Sequence, residues 1–294
     1  MVADRECYDC CIRKAEGLLD QYQVSETLRS RIMEEVKQML ERAGEGLCAP
    51  LLMAQMMSVL DMHIDTVDAY AEPKRKYNRF LLEREEEIRR DIAGSKDPFL
   101  AGLKYAVTGN YIDFGAMSDV KEEKLTELLA GCERLSLDGE EILCLREELA
   151  EAERLVYITD NAGEIVLDKI FIRTIKELWP SLDVTVIVRG FPTLNDATKE
   201  DAQYVGMEML GPVLSNGTDI PGTPLDEISR EAREAIEQAD LCIAKGQGNF
   251  ESLRGCGKNV YYLFLCKCEL FVRKFQVERF TPVLANEQRI VQYY

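Results

Sequence analysis

The apolar residues of this 294-residue chain change their spacing once, near residue 150. Before that point they recur at i, i+3 and i+4, the period of helices packed on one side. Residues 4–22 and 26–43 read this way, with Ser25 and Glu26 opening the second segment and Gly44 and Gly46 closing it. Residues 50–70 continue the pattern. Pro73 is expected to begin another helix running to about Ala93, and Asp97 and Pro98 to cap one through Lys104. After residue 150, β-branched runs at Leu155–Thr159, Val184–Val188, Leu241–Ala244 and Val260–Leu265 alternate with helices expected over roughly 163–179, 197–206 and 226–239. The runs are almost continuously apolar, as strands of a parallel sheet covered on both faces are. The expected fold is α/β. A helical N-terminal subdomain over 1–115 and connecting helices over 116–153 precede a doubly wound, Rossmann-like domain with a mainly parallel sheet over 154–294.

Charge and composition exclude several classes of function. Acidic residues number 53 and basic residues 36, a formal net charge of −17, so the chain lacks the cationic surface that nucleic acid or an anionic membrane demands. No apolar run approaches the roughly 20 residues of a membrane span. The opening MVADRECYDCC is charged at once and has no signal-peptide core. A cytoplasmic protein with reduced thiols is expected. The single histidine, His63, excludes a multi-histidine metal cage and, lying in a helical stretch, argues against a Ser-His-Asp triad.

Ligands of a parallel sheet bind beyond the carboxyl ends of its strands, so the residues there carry the functional signal. The first strand is followed by Asp160-Asn161-Ala162-Gly163-Glu164 and the second by Arg189 to Thr198. A short element (Glu208 to Leu214) is followed by Ser215-Asn216-Gly217, and the next strand by Lys245-Gly246-Gln247-Gly248-Asn249-Phe250-Glu251. These four ends are expected to converge on one rim. Asp160, Asn161 and Asp196 are hard oxygen donors suited to a divalent cation such as magnesium or manganese. Gly163 permits a tight turn into a helix whose N-terminal amides attract anions. Ser215 and Asn216 supply donors, and Lys245 a cation beside the Gly246-x-Gly248 turn. Such groups together bind a phosphate and stabilise charge on a transferring phosphoryl group. Each also has a plain structural reading, as a helix cap or a turn residue; recurrence at successive strand ends favours a site.

These blocks carry a resemblance. Tyr157 to Glu164, Asn195-Asp196-Ala197-Thr198 and Lys245 to Glu251 are similar to signature blocks of the damage-control phosphatases, also called domain of unknown function 89. Cys7-x-x-Cys10, Asp97-Pro98-Phe99, Lys104 and Gly109-Asn110 match as well, in order along nearly the whole chain, and the N-terminal cysteines resemble the prokaryotic-type subfamily. The resemblance implies a metal-dependent phosphomonoesterase acting on small phosphorylated metabolites, among them sugar phosphates and phosphopantetheine-type compounds. It implies a divalent metal (manganese, magnesium, cobalt or nickel) held by Asp160, Asn161 and Asp196, with no nucleotide cofactor. Asp160 and Lys245 take catalytic roles, Lys245 contacting the phosphate. Gly163, Glu164 and Asn249 belong to the same blocks and, with Ser215 and Asn216, form the expected substrate-binding set. The attacking oxygen is left open between a metal-polarised water and an aspartate carboxylate.

A haloacid-dehalogenase-type site needs a second aspartate where Ala162 stands. A non-catalytic sensor would bind a phosphorylated ligand without turnover. A carboxyl methyltransferase using S-adenosylmethionine, proposed for some related eukaryotic proteins, would need a glycine-rich turn after the first strand, which this sequence lacks. Cys7 and Cys10 with Cys266 and Cys268 form either a four-sulfur zinc site or small apolar packing. Specificity is expected from side chains of 65–80 and 97–114 roofing the rim.

Overall fold

A computed structural model describes residues 1–44, 46–66, 68–113 and 120–290; the boundary expected at 115/116 lies outside the described residues. Helices α1 (Arg5–Gln21), α2 (Glu26–Ala43) and α3 (Ala49–Asp61) come first, then α4 (Asp68–Leu82), α5 (Glu85–Gly94), α6 (Pro98–Gly109), α7 (Glu122–Gly131) and α8 (Gly139–Glu151). The second half runs β1 (Arg154–Ile158), α9 (Glu164–Leu178), β2 (Asp183–Val188), α10 (Lys199–Val205), β3 (Val213–Ser215), α11 (Arg230–Gln238), β4 (Leu241–Lys245), α12 (Gly246–Leu253), β5 (Val260–Leu265), α13 (Glu269–Phe275) and β6 (Pro282–Asn286). No helix among the described residues is long and apolar enough to cross a membrane.

The sheet order is β3-β2-β1-β4-β5-β6, with β6 antiparallel to β5 and every other pairing parallel. The chain therefore reverses direction across the sheet between β1 and β4, where a doubly wound sheet opens its crevice. Side chains alternate along β1 as period two requires. Leu155 and Tyr157 join the apolar layer shared with α4, α5, α6 and α9. Val156 and Ile158 join the layer on the opposite face, with α11, α12 and α13. Helices α1, α2 and α3 build a third cluster, and Leu194, from the loop after β2, is buried in it. The first three helices thus rest on a loop at the carboxyl edge of the sheet.

Asp97 caps α6 as read, its side chain accepting from the Leu100 amide, with Pro98 at the first position. Pro73 does not begin a helix: α4 starts at Asp68 and carries Pro73 inside it, in the second turn, where the ring has no amide to offer the Ala69 carbonyl. The expected 50–70 helix is correspondingly two elements, α3 and the first turn of α4.

Candidate active site

The register of the sheet builds the centre of the site. Ile158 of β1 is paired with Ala244 of β4, so two residues further on Asp160 stands beside Gly246. The contact is close enough to dictate the residue: a Cβ on Gly246 would lie 2.0 Å from Asp160 Oδ2, and Gly246 has φ +80°. From the other neighbouring strand, the loop after β2 returns to form a bridge between Asp196 and Asn161. Leu194, in that loop, holds a left-handed φ of 44°, a conformation costly for a branched side chain and typical of functional loops. Asp160, Asn161 and Asp196 thereby line one cavity of about 690 Å³, within the size range of small-ligand sites.

Arg189, the residue directly after β2, is fully buried and braces the two carboxylates. Its Nε donates to Asp196 Oδ2 at 2.6 Å, and its Nη2 lies 3.6 Å from Asp160 Oδ1. Asn249 and Thr223 hold its Nη1 through their side-chain oxygens, at 3.2 and 3.1 Å. Asp160 Oδ2 also accepts from Asn110 Nδ2 at 3.0 Å and Asn161 Nδ2 at 2.7 Å. Burial, then the charges of Asp196 and Glu164, hold the Asp160 carboxyl well above the usual carboxylate range. Burial pushes Asp196 up to about 6, against the pull of Arg189.

These residues fit a divalent cation. Two buried carboxylates crowd together and disfavour each other's charge, a repulsion that a cation relieves. Asn161 spends its Nδ2 on Asp160 and, at 2.8 Å, on Glu164, which leaves its Oδ1 as the coordinating atom. The set is two carboxylates and one amide. Among the described residues no group of three His, Cys, Asp or Glu side chains is arranged to hold a metal, and the four-sulfur arrangement is not formed. Cys7, Cys10 and Cys268 line the cavity, whereas Cys266 is buried in the apolar layer beside α13. Burial pushes the Cys7 thiol up to about 12, so it is held as a neutral thiol.

The other expected site residues do not reach the cavity wall. Lys245 is fully buried, and its ammonium donates to Glu164 Oε1 at 2.7 Å, Asp168 Oδ1 at 2.6 Å and the Ala106 carbonyl at 2.8 Å. Burial alone would discharge it; Asp168 and Glu164 instead hold its pKa above the ordinary value. All three N–H groups are spent, so none is left for a phosphate. Glu164 is equally buried and accepts from Lys245, Asn110 and Asn161. The Gly163 amide donates to Asn78 Oδ1 at 2.6 Å and the Ala162 amide to the Asn195 carbonyl at 2.8 Å. The start of α9 is thus occupied from within, which corrects its expected use as an anion site. Ser215 and Asn216 follow the edge strand β3, two strands from β1 and hence about 10 Å away. Asn216 Oδ1 accepts from the amides of Gly190 and Thr218, at 2.8 and 3.0 Å, and so builds a turn. Asn249 orients Arg189 and is buried behind it.

A different lysine, Lys267, stands at the cavity with Asp113. Both line the cavity, and they form a close ion pair. Lys267 Nζ also donates to the Asn110 carbonyl at 2.6 Å, so two of its three N–H groups are engaged, and its side chain is fully buried. Lys267 stands two residues beyond the end of β5, between Cys266 and Cys268, where the strand-end rule also places a site residue. The roof is mainly α1, through residues from Glu6 to Gln21, with Tyr70 and Asp113 contributed by the segments expected to form it.

Residues 3–283 match the damage-control phosphatase ARMT1-like domain. The chain belongs to that family. A damage-control phosphatase of Pyrococcus horikoshii is 32% identical over 283 residues, covering 95% of this chain and 96% of its own. A damage-control phosphatase of Archaeoglobus fulgidus is 36% identical over 218 residues, 71% of this chain and 73% of its own. The crystal structure of a domain-of-unknown-function-89 protein from Pyrococcus horikoshii has a TM-score of 0.80 and 31% identity, covering 98% of this chain and 99% of that one. The helical part and mainly parallel sheet are therefore the damage-control phosphatase fold. Asn110, quoted in the family blocks without a role, is the residue that ties Asp160, Glu164 and β5 together, its Oδ1 accepting from the Leu265 amide at 3.0 Å.

Proposed function

We propose that this chain is a divalent-cation-dependent phosphatase of small phosphorylated metabolites, working at the Asp160 cavity. One observation carries the reading: two buried aspartates from the ends of adjacent strands, with Asn161 bridged to one and hydrogen-bonded to the other, line a metabolite-sized cavity that Lys267 also lines. Asp160, Asn161 and Asp196 would hold the cation. When bound, that cation neutralises charge on the phosphoryl oxygens. Lys267 donates its remaining N–H to a phosphoryl oxygen and Arg189 keeps both carboxylates in place, while Lys245 fixes Glu164 beneath them. The names of the relatives support the reaction class. The reading carries a cytoplasmic setting with it, where thiols stay reduced.

The test is phosphate release from para-nitrophenyl phosphate and a panel of sugar phosphates. Metal-stripped protein is assayed with magnesium, manganese, cobalt or nickel restored, beside Asp160→Ala. Turnover is expected to return with metal, and to fall at least roughly 10²-fold in the variant with its circular dichroism unchanged. Absence of turnover with all four metals, in folded protein, overturns the reading.

A further inference from the structure

The cavity extends beyond Asp160 to donors that phosphate cleavage leaves unused. Arg13, on α1, and Arg279, between α13 and β6, are both exposed and both line it. Arg279 is carried over the ring of Phe280, 5.2 Å from its centroid. Among the described residues neither guanidinium has a carboxylate partner, in a chain with 53 acidic residues. Of the acids lining the cavity, Glu6 pairs with Arg273, Asp113 with Lys267 and Asp196 with Arg189, and burial pushes the Glu251 carboxyl up to about 7, which weakens its charge. Glu269 opens α13, where the helix dipole favours a negative charge.

A third donor stands on the wall of the same cavity. Gln247 lines the cavity and is 9% exposed. Its Oε1 accepts from the amides of Lys267 at 2.9 Å and Cys268 at 3.3 Å. That pins the side chain, since a flipped amide would set its NH₂ against two N–H groups. The Nε2 is thereby left buried with no acceptor. Buried donors without acceptors are rare and call for a partner, and this one belongs to a residue of the cavity wall.

We propose that this end of the cavity binds a second anionic group of the substrate. The chain then acts on phosphate monoesters that also carry a carboxylate or a further phosphate, recognised by Arg13, Arg279 and Gln247 Nε2. A neutral polyol tail would leave two guanidinium groups unpaired, whereas carboxylate and phosphate match their forked geometry. The proposal rests on the phosphatase reading and names its substrate class.

The test compares three probes on the metal-loaded protein: sorbitol 6-phosphate, 6-phosphogluconate for the carboxylate arm, and fructose 1,6-bisphosphate for the phosphate arm. At least one of the anion-rich probes is expected to exceed sorbitol 6-phosphate at least about tenfold in kcat/KM, through KM. In Arg13→Gln/Arg279→Gln that ratio is expected to collapse toward one. A ratio near one in the wild type, or one that survives the double substitution, overturns the proposal. Calorimetric binding of the same probes separates the two readings. If none is hydrolysed, arginine-dependent binding of an anion-rich probe keeps the subsite while the phosphatase reading falls. Arginine-independent binding removes the subsite.

Discussion

Lys245→Met is expected to destabilise the protein by about 3–5 kcal/mol, the cost of stranding buried charges. Lys245 is the only cation in contact with Glu164 and Asp168 among the described residues, and all three side chains are fully buried. Without it two carboxylates face each other, the Ala106 carbonyl loses that donor, and only the neutral donors of Asn110 and Asn161 are left to hold Glu164 beside Asp160. At this chain length the melting midpoint should drop by roughly 10 °C. A triple variant that also carries Glu164→Gln and Asp168→Asn should recover much of the loss, because it removes the orphaned charges as well. Denaturant melts of the three proteins check this. A Lys245→Met protein as stable as the wild type but inactive would mean instead that the lysine serves the phosphate.

Gly246→Ala is expected to have the opposite signature, a large loss of activity with a small loss of stability. The added methyl would sit 2.0 Å from Asp160 Oδ2 and 2.2 Å from its Cγ. Either the carboxylate or the start of α12 must move by an ångström or more. Displacement on that scale costs roughly 10²-fold in rate, while holding alanine at this positive φ costs about 1–2 kcal/mol. Gly255→Ala is the control. Its φ is +85° but a Cβ there meets nothing within 4 Å, so it should share the stability loss and keep kcat/KM. Near-wild-type kinetics in Gly246→Ala would show that Asp160 is not held where the reaction needs it.

The contrast between neighbouring residues 245 and 246 shows what the sequence could and could not disclose. Strand ends, α/β alternation and the Asp97-Pro98 cap were legible because they depend on local period and capping chemistry. Asp160, Asn161 and Asp196 were legible because a parallel sheet aligns the ends of adjacent strands. The direction of the Lys245 side chain was not. It turns under the sheet edge because Glu164 and Asp168, one turn apart on α9, wait there, and that pairing depends on how α9 packs on β4. Ser215 and Asn216 failed for a topological reason, since the sequence does not state that β3 is an edge strand. Arg189 and Lys267 lay within reach of the same strand-end rule. Arg189 follows the second strand directly, and Lys267 lies between Cys266 and Cys268, whose thiols are the stronger signal in the sequence. The part played by α1 in the roof was hidden, because a helix from the far end of the chain reaches the site through tertiary contacts, the packing around Leu194 and the pairing of Glu6 with Arg273.

The most direct test of the central claim is a calorimetric titration of Mn²⁺ into metal-stripped protein, with no substrate present. We expect one site per chain, with affinity lowered at least roughly tenfold in Asp160→Ala and again in Asp196→Ala. Manganese that binds the wild type and both variants alike would put the cation elsewhere and contradict the assignment.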